Sequence, residues 1–204
     1  MFVSPHAVPP LRRSGRGALV SAGSGETLSP RRGSGGSAPG LFRLGLIFAA
    51  VIFVFDQLSK WWVLDVVLLP ERQHIPLFSA GPFGLDLTMV WNRGVTFGLF
   101  SGDGPWNHLI LAGLGVAIAI FLLRWLKRAE GRMVALALGA VIGGAFGNVV
   151  DRLRFGAVVD FVDTHAWGWH WYVFNVADAA IVCGVGALLL DALLPPRQTP
   201  KDNP

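Results

Sequence analysis

Four apolar stretches govern what this chain can fold into. They run over about residues 44–64, 106–123, 133–150 and 173–194. Each is close to the roughly 20 residues that a helix needs to cross the hydrocarbon core of a bilayer. In lipid, every backbone N–H and C=O must be satisfied within its own segment, so stretches of this length are read as helices. The rest of the composition agrees. Charged residues are 15% of the 204, against about 25% in ordinary soluble domains, and the mean hydropathy is +0.52. The implied fold class is an all-α membrane protein with four transmembrane helices.

The basic residues say how such a bundle would sit. The pI near 10.0 raises the question of nucleic acid, but the cations flank apolar segments and form no stripe on a soluble face, so no nucleic-acid partner is expected. Twelve of the seventeen Lys and Arg lie in the tail up to Arg43, the loop from Arg124 to Arg132, and the C-terminal tail. The positive-inside rule then places both termini in the cytoplasm and the remaining polar motifs on the outer face. Trp61-Trp62 and the run Trp167, Trp169, Trp171, Tyr172 stand where interfacial aromatic belts are expected. Residues 1–40, rich in Gly, Ser, Pro and Arg, read as a disordered basic extension. Residues 41–195 read as one transmembrane domain and 196–204 as a cytoplasmic tail. Twin arginines at Arg12-Arg13 and Arg31-Arg32 suggest an export signal, but the next apolar stretch is a full-length span without an Ala-x-Ala-like cleavage site.

Between the spans lie the residues that can do chemistry. Asp56 and Lys60, four apart near the end of the first span, share a helix face and can pair, acid first. Residues 70–100 change character: Pro and Gly punctuate short runs such as Leu85 to Trp91 that alternate in part, predicting a small β-cradle at the outer surface. The cradle leads into Asn92-Arg93-Gly94. In the third span Gly139, Gly143 and Gly147 fall at four-residue spacing, which lets a neighbouring helix approach closely. Asn148 and Arg152 extend that face toward the interface. The span then exposes an Asp151-Arg152 pair, turns at Gly156, and continues as a loop carrying Asp160 and Asp163. Asn175 and Asp178, three apart, project from one face at the start of the fourth span.

A carboxylate in apolar surroundings loses its hydration and is disfavoured in its charged form, so within a membrane protein it marks a functional site, with its partner to be named. For Asp160 that partner is Asp178. Two carboxylates held close cannot both ionise easily. One keeps a proton to donate to a carbonyl while the other takes one from water, which is the chemistry of aspartic proteases. Other readings are open. Ser59-Lys60 offers a nucleophile and an amine, although adjacent helix positions point about 100° apart. Asp163, His165 and His170 offer metal-binding side chains, but in a Trp-rich interfacial loop with no second cluster to complete a tetrahedral set, so no metal is expected. The single cysteine, Cys183, is expected to be a small apolar packing residue. A non-enzymatic transporter or scaffold could also use an outward polar cluster. Transporters, however, place ionisable groups near the midplane and often carry internal repeats, and neither is visible here.

The ordered motif set resembles the lipoprotein signal peptidases, or signal peptidase II, a family of bacterial inner-membrane aspartic proteases. The resemblance covers about residues 44–194. Its motifs are Asp56-Gln57-Leu58-Ser59-Lys60, Asn92-Arg93-Gly94 through Phe97-Gly98, Gly143 through Arg152, Gly156 through Phe161, and Phe174-Asn175-Val176-Ala177-Asp178. It implies an endopeptidase that removes the signal peptide of diacylglyceryl-modified prolipoproteins by cutting before the lipidated cysteine. It also implies four spans, with a β-cradle and a loop or helix facing the periplasm. The catalytic residues would be Asp160 and Asp178. Asn148, Arg152 and Asn175 would support them or position substrate, and Asp56, Lys60, Asn92 and Gly94 match further motif positions. No metal or organic cofactor is implied, and the partners would be the prolipoprotein signal peptide and membrane lipids, with the chain acting as a monomer. The second motif departs from the family's Asn-Thr-Gly-Ala-Ala-Phe at Arg93, Val95 and Thr96 but keeps its Asn and Gly.

Overall fold

The computed structural model describes residues 39–94 and 106–194. Phe97, Gly98, the N-terminal extension and the C-terminal tail lie outside them. Four helices are long and apolar enough to cross a membrane: α1 (Pro39–Trp61, continued by a π-helical turn Trp62–Val66), α3 (Asn107–Leu126), α4 (Arg132–Phe155) and α5 (Val176–Leu193). A single turn, α2 (Leu69–Arg72), follows α1. Strands β1 (His74–Ala80), β2 (Phe83–Asn92), β3 (Val158–Ala166) and β4 (Trp169–His170) complete the fold.

Helix α4 is the centre of the bundle and packs against α1, α3 and α5, while its three neighbours turn Leu, Ile, Val and Phe side chains outward. Lipid tails are as apolar as leucine, so close contact between helices depends on small residues. A Cβ at Gly139 or Gly143 would collide with the α1 backbone at Gly45 and Ala49, and one at Gly144 with α5 at Ala177. The glycine ladder is thus a packing device, shared between two neighbours. Cys183, expected to pack in the bundle, is exposed on α5. A small residue was not needed there; the close approach of α5 to α4 is made at Gly184 instead.

The four strands form one antiparallel sheet in the order β1-β2-β3-β4, resting on a cluster of Val63, Leu69, Leu87, Met89, Val159 and Phe161. The cradle expected over residues 70–100 is present as β1 and β2. The loop expected through Asp160 and Asp163 is instead β3, which pairs with β2 along most of its length. Its Val-Val-Asp-Phe-Val sequence suits a strand half-buried on a sheet, but the partner lies some seventy residues earlier, and no local pattern announces it. Helix α4 also runs five residues beyond the expected end of the third span, to Phe155. It stops at Gly156, whose φ of 71° lies in the left-handed region open to glycine and whose N–H returns to the Arg152 carbonyl at 3.1 Å.

Candidate active site

The C-terminal ends of α1 and α4 and the N-terminal end of α5 meet strands β2 and β3, and the polar residues singled out in the sequence converge there. Two backbone devices bring Asp160 and Asp178 together. Phe174 pairs with Val162 on β3, giving and receiving hydrogen bonds of 3.0 and 2.8 Å, which ties the entry of α5 to the strand that carries Asp160. Asn175 then starts α5 as its N-cap: its side-chain oxygen accepts from the Asp178 N–H at 2.9 Å, and Asp178 Oδ2 accepts from the Asn175 N–H at 3.3 Å. This is a capping box, two orphan donors satisfied reciprocally. The three-residue spacing therefore does serve a helix cap, contrary to the expectation that both residues project from one face of an already formed helix, because α5 begins at Val176.

Asn175 has a second task. Its Nδ2 donates to Asp160 Oδ1 at 2.6 Å, so one asparagine touches both carboxyl groups. Asp160 Oδ2 accepts from Asn92 Nδ2 at 3.0 Å. Asp178 Oδ1 accepts from Asn148 Nδ2 at 2.8 Å. Asp160 is 1% exposed, whereas Asp178 is only half-buried. Burial first, and then the charge of Asp178, push the Asp160 carboxyl up to about 7. The hydrogen bonds from Asn92 and Asn175 and the nearby Lys60 ammonium oppose that rise without cancelling it.

Beneath this pair lies a buried ion cluster. Lys60 Nζ lies 2.8 Å from Asp56 Oδ2 and 2.7 Å from Asp151 Oδ2, and also donates to Asn148 Oδ1 at 3.2 Å. The expected Asp56–Lys60 pair is present. Asp151, expected to be exposed, is buried and is the second anion; an acid facing the bundle is tolerated because a lysine answers it. The Gln57 amide joins the two acids, its Nε2 donating to Asp56 Oδ2 and Asp151 Oδ1 at 3.2 Å each. Both carboxylates also hold backbone. Asp56 Oδ1 accepts from the Ala177 N–H at 2.9 Å, and Asp151 Oδ2 from the Val159 N–H at 3.2 Å. Ala177 and Val159 immediately precede Asp178 and Asp160, so a single ammonium links the two points that set where the two aspartates stand. A Cβ at Gly147 would strike the Asp56 carboxylate. Sequence reading missed Asp151 and Gln57 as site residues; the signal was an acid and an amide on the polar faces of two apolar helices.

Gly94 and Arg152 are tied into the same network. Asn92 Oδ1 accepts from the Gly94 N–H at 3.1 Å, the Gly94 carbonyl accepts from Arg152 Nη2 at 3.3 Å, and Arg152 Nη1 donates to the Asn148 carbonyl at 3.3 Å. Arg152 Nε is shielded and makes no hydrogen bond. The Ser59-Lys60 alternative has no geometry here, since Ser59 Oγ donates to the Asp56 carbonyl at 2.8 Å and Lys60 is held by the two acids.

Four membrane-length helices with buried carboxyl groups gathered at one end define a multi-pass membrane protein. The family model described as Signal peptidase (SPase) II matches residues 48–194. The chain is 45% identical over 162 residues to a lipoprotein signal peptidase of Methylorubrum extorquens, spanning 79% of this chain and 92% of that protein. It is 44% identical over 166 residues to a lipoprotein signal peptidase of Methylobacterium radiotolerans, covering 80% and 93%. A solved structure described as a bacterial membrane enzyme, obtained by the in meso method at 2.3 Å resolution, superposes with a TM-score of 0.62 at 25% identity, covering 81% of this chain and 98% of that one. The chain belongs to the signal peptidase II family and is a membrane protease.

Proposed function

We propose that this protein is an aspartic endopeptidase that removes signal peptides from diacylglyceryl-modified prolipoproteins, cutting before the lipidated cysteine, with Asp160 and Asp178 as its catalytic pair. The observation that carries this reading is the asymmetry of two carboxyl groups joined through Asn175. Asp160 is fully buried with its proton affinity pushed up to about 7, while Asp178 is only half-buried. Asp160 is accordingly the protonated member and Asp178 the base. Asp178 takes a proton from water as the water oxygen attacks the scissile carbonyl carbon, and Asp160 gives its proton to the carbonyl oxygen, forming a gem-diol. As that intermediate collapses, one gem-diol hydroxyl returns its proton to Asp160 as the carbonyl re-forms, the C–N bond breaks, and the proton held by Asp178 passes to the leaving amine of the cysteine. Asn92, Asn148 and Asn175 orient the two acids. Arg152 and Gly94, which lies two residues beyond β2, line the approach of the substrate backbone. Asp56 and Lys60 set the spacing from below.

In this reading the chain works as a monomer in the bacterial inner membrane, among its lipids, with residues 41–195 as the peptidase domain. Both termini are cytoplasmic and the site faces the periplasm, as the Lys and Arg distribution supports. The transporter alternative is not favoured: the polar residues gather at one end of the bundle. The test is to incubate the purified protein in detergent with a precursor in its diacylglyceryl-modified and unmodified forms and to identify the products by mass spectrometry. Release of the signal peptide with the lipidated cysteine as the new N-terminus, from the modified form alone, is expected. Cleavage elsewhere, or equal cleavage of both forms, would overturn the substrate assignment.

A further inference from the structure

A second cluster of ionisable side chains lies on the sheet, away from the aspartate pair. Asp86 on β2 stands directly opposite Asp163 on β3, and both are buried, at 6% and 5% exposure. Like charges directly across a ladder are destabilising, yet among the described residues the ion-pair partners of these two acids are all histidines. Asp86 lies 3.5 Å from His165 and 3.7 Å from His74, and Asp163 lies 3.0 Å from His170. Such an arrangement calls for a cation held by neutral imidazoles or for protonation of the imidazoles themselves.

The backbone is built to gather these groups. Trp167 and Gly168, with φ of 51° and 78°, form the two-residue turn that folds β4 back onto β3, and this sets His170 opposite His165. The two rings lie 4.8 Å apart, centroid to centroid. Gly84 faces His165 from β2, and any Cβ there would collide with the imidazole, so the missing side chain makes room for the ring. One ligand atom from each of Asp163, His165 and His170 falls within 4.8 Å of the others. A tetrahedral zinc centre with bonds near 2.0–2.1 Å has ligand atoms roughly 3.3 Å apart, a closure within reach of exposed rotors such as His170.

We propose that Asp163, His165 and His170 form a binding site for a divalent transition-metal ion of the zinc class, separate from the peptidase centre. Two imidazoles and a carboxylate are the donor set such ions prefer, and three protein ligands leave one position open. The outer contacts suit it too. Thr88 Oγ1 donates to Asp163 Oδ2 at 2.9 Å and so orients the carboxylate. Asp86 Oδ2 lies 3.5 Å from Nδ1 of His165, a shielded atom without a hydrogen bond; a small ring rotation would close that contact, and a carboxylate so placed orients a ligating histidine. The sequence had suggested a surface loop at these residues, because the pairing that unites them is not local.

The test uses the full chain carrying no polyhistidine tag, purified in detergent and stripped with a chelator, then titrated with Zn²⁺ by calorimetry and with Co²⁺ by visible absorption. The expected result is one ion per chain, with a tetrahedral Co²⁺ spectrum, and binding about tenfold or more weaker in His170→Ala and in His165→Ala. His170 is exposed, so its variant keeps the fold, and Asp178→Asn should bind the ion as wild type does. No saturable binding, or equal affinity in wild type and His170→Ala, would overturn the site.

Discussion

Lys60 shows how much a single residue can carry. Its ammonium joins Asp56 on its own helix to Asp151 on α4, and each acid pins the backbone just ahead of one of the two central aspartates. Lys60→Met would leave two buried carboxylates without a counter-charge, a change that costs about 3–5 kcal/mol where buried pairs have been broken. Thermal unfolding in detergent should show that loss, whereas Ser59→Ala, which removes only a hydrogen bond to a helix carbonyl, should stay near wild type in both stability and cleavage. Asp160 makes a prediction of the opposite kind. Its carboxyl titrates near 7 in the folded chain against about 3.9 when unfolded, so the folded state holds an extra proton between those values. Stability conferred by that proton is complete below about pH 4 and lost as pH rises to 7. Relative to Asp160→Asn, the wild type should therefore lose stability across that window, on the order of a few kcal/mol, and level off above it. Unfolding midpoints of the two proteins from pH 4 to pH 8 check the slope; parallel curves would count against a buried, protonated Asp160. At this scale the sequence named Asp160, Asp178 and their asparagines, because polar groups stand out in an apolar chain. Asp151 was hidden in the same motif, since nothing local distinguishes an acid that faces a lysine on another helix from one that faces water.

Among the elements, the four spans were legible because length and hydropathy are properties of a single segment. Strand β3 was not, since its identity depends on pairing with β2, and that pairing is what places Asp160 against Asn92. The start of α5 was misplaced for a related reason: Val173 and Phe174 are apolar enough to extend a span, yet Phe174 is committed to β3 and Asn175 to the cap. Contact between α1 and α4 rests on glycine. Gly143→Leu should force the two helices apart at Ala49 and Ile52, displacing Asp56 and Lys60, which lie about one to three turns further along α1. The expected outcome is loss of cleavage together with a lowered unfolding temperature. The same substitution at Gly186 on α5, where a Cβ meets open space, should be near neutral.

For the whole molecule, the central question is which way the bundle faces. Charge alone predicts a cytoplasmic Arg124–Arg132 loop and an outward β1–β2 turn at Gly81-Pro82. Single cysteines introduced at Glu130 and at Gly81, in a chain whose Cys183 is replaced by alanine, should react oppositely with a membrane-impermeant thiol reagent added to intact cells: Gly81→Cys labelled, Glu130→Cys protected until lysis. The reverse pattern would put the aspartate pair on the cytoplasmic side and separate it from exported precursors. The measurement that tests the account most directly is cleavage of a diacylglyceryl-modified prolipoprotein by purified wild type, Asp160→Asn and Asp178→Asn, each shown to be folded by its unfolding transition. The account predicts rapid cleavage by wild type, falling as pH rises above about 7, and none detectable by either variant. Cleavage at the wild-type rate by either folded variant would contradict a mechanism in which both aspartates hold and move the proton.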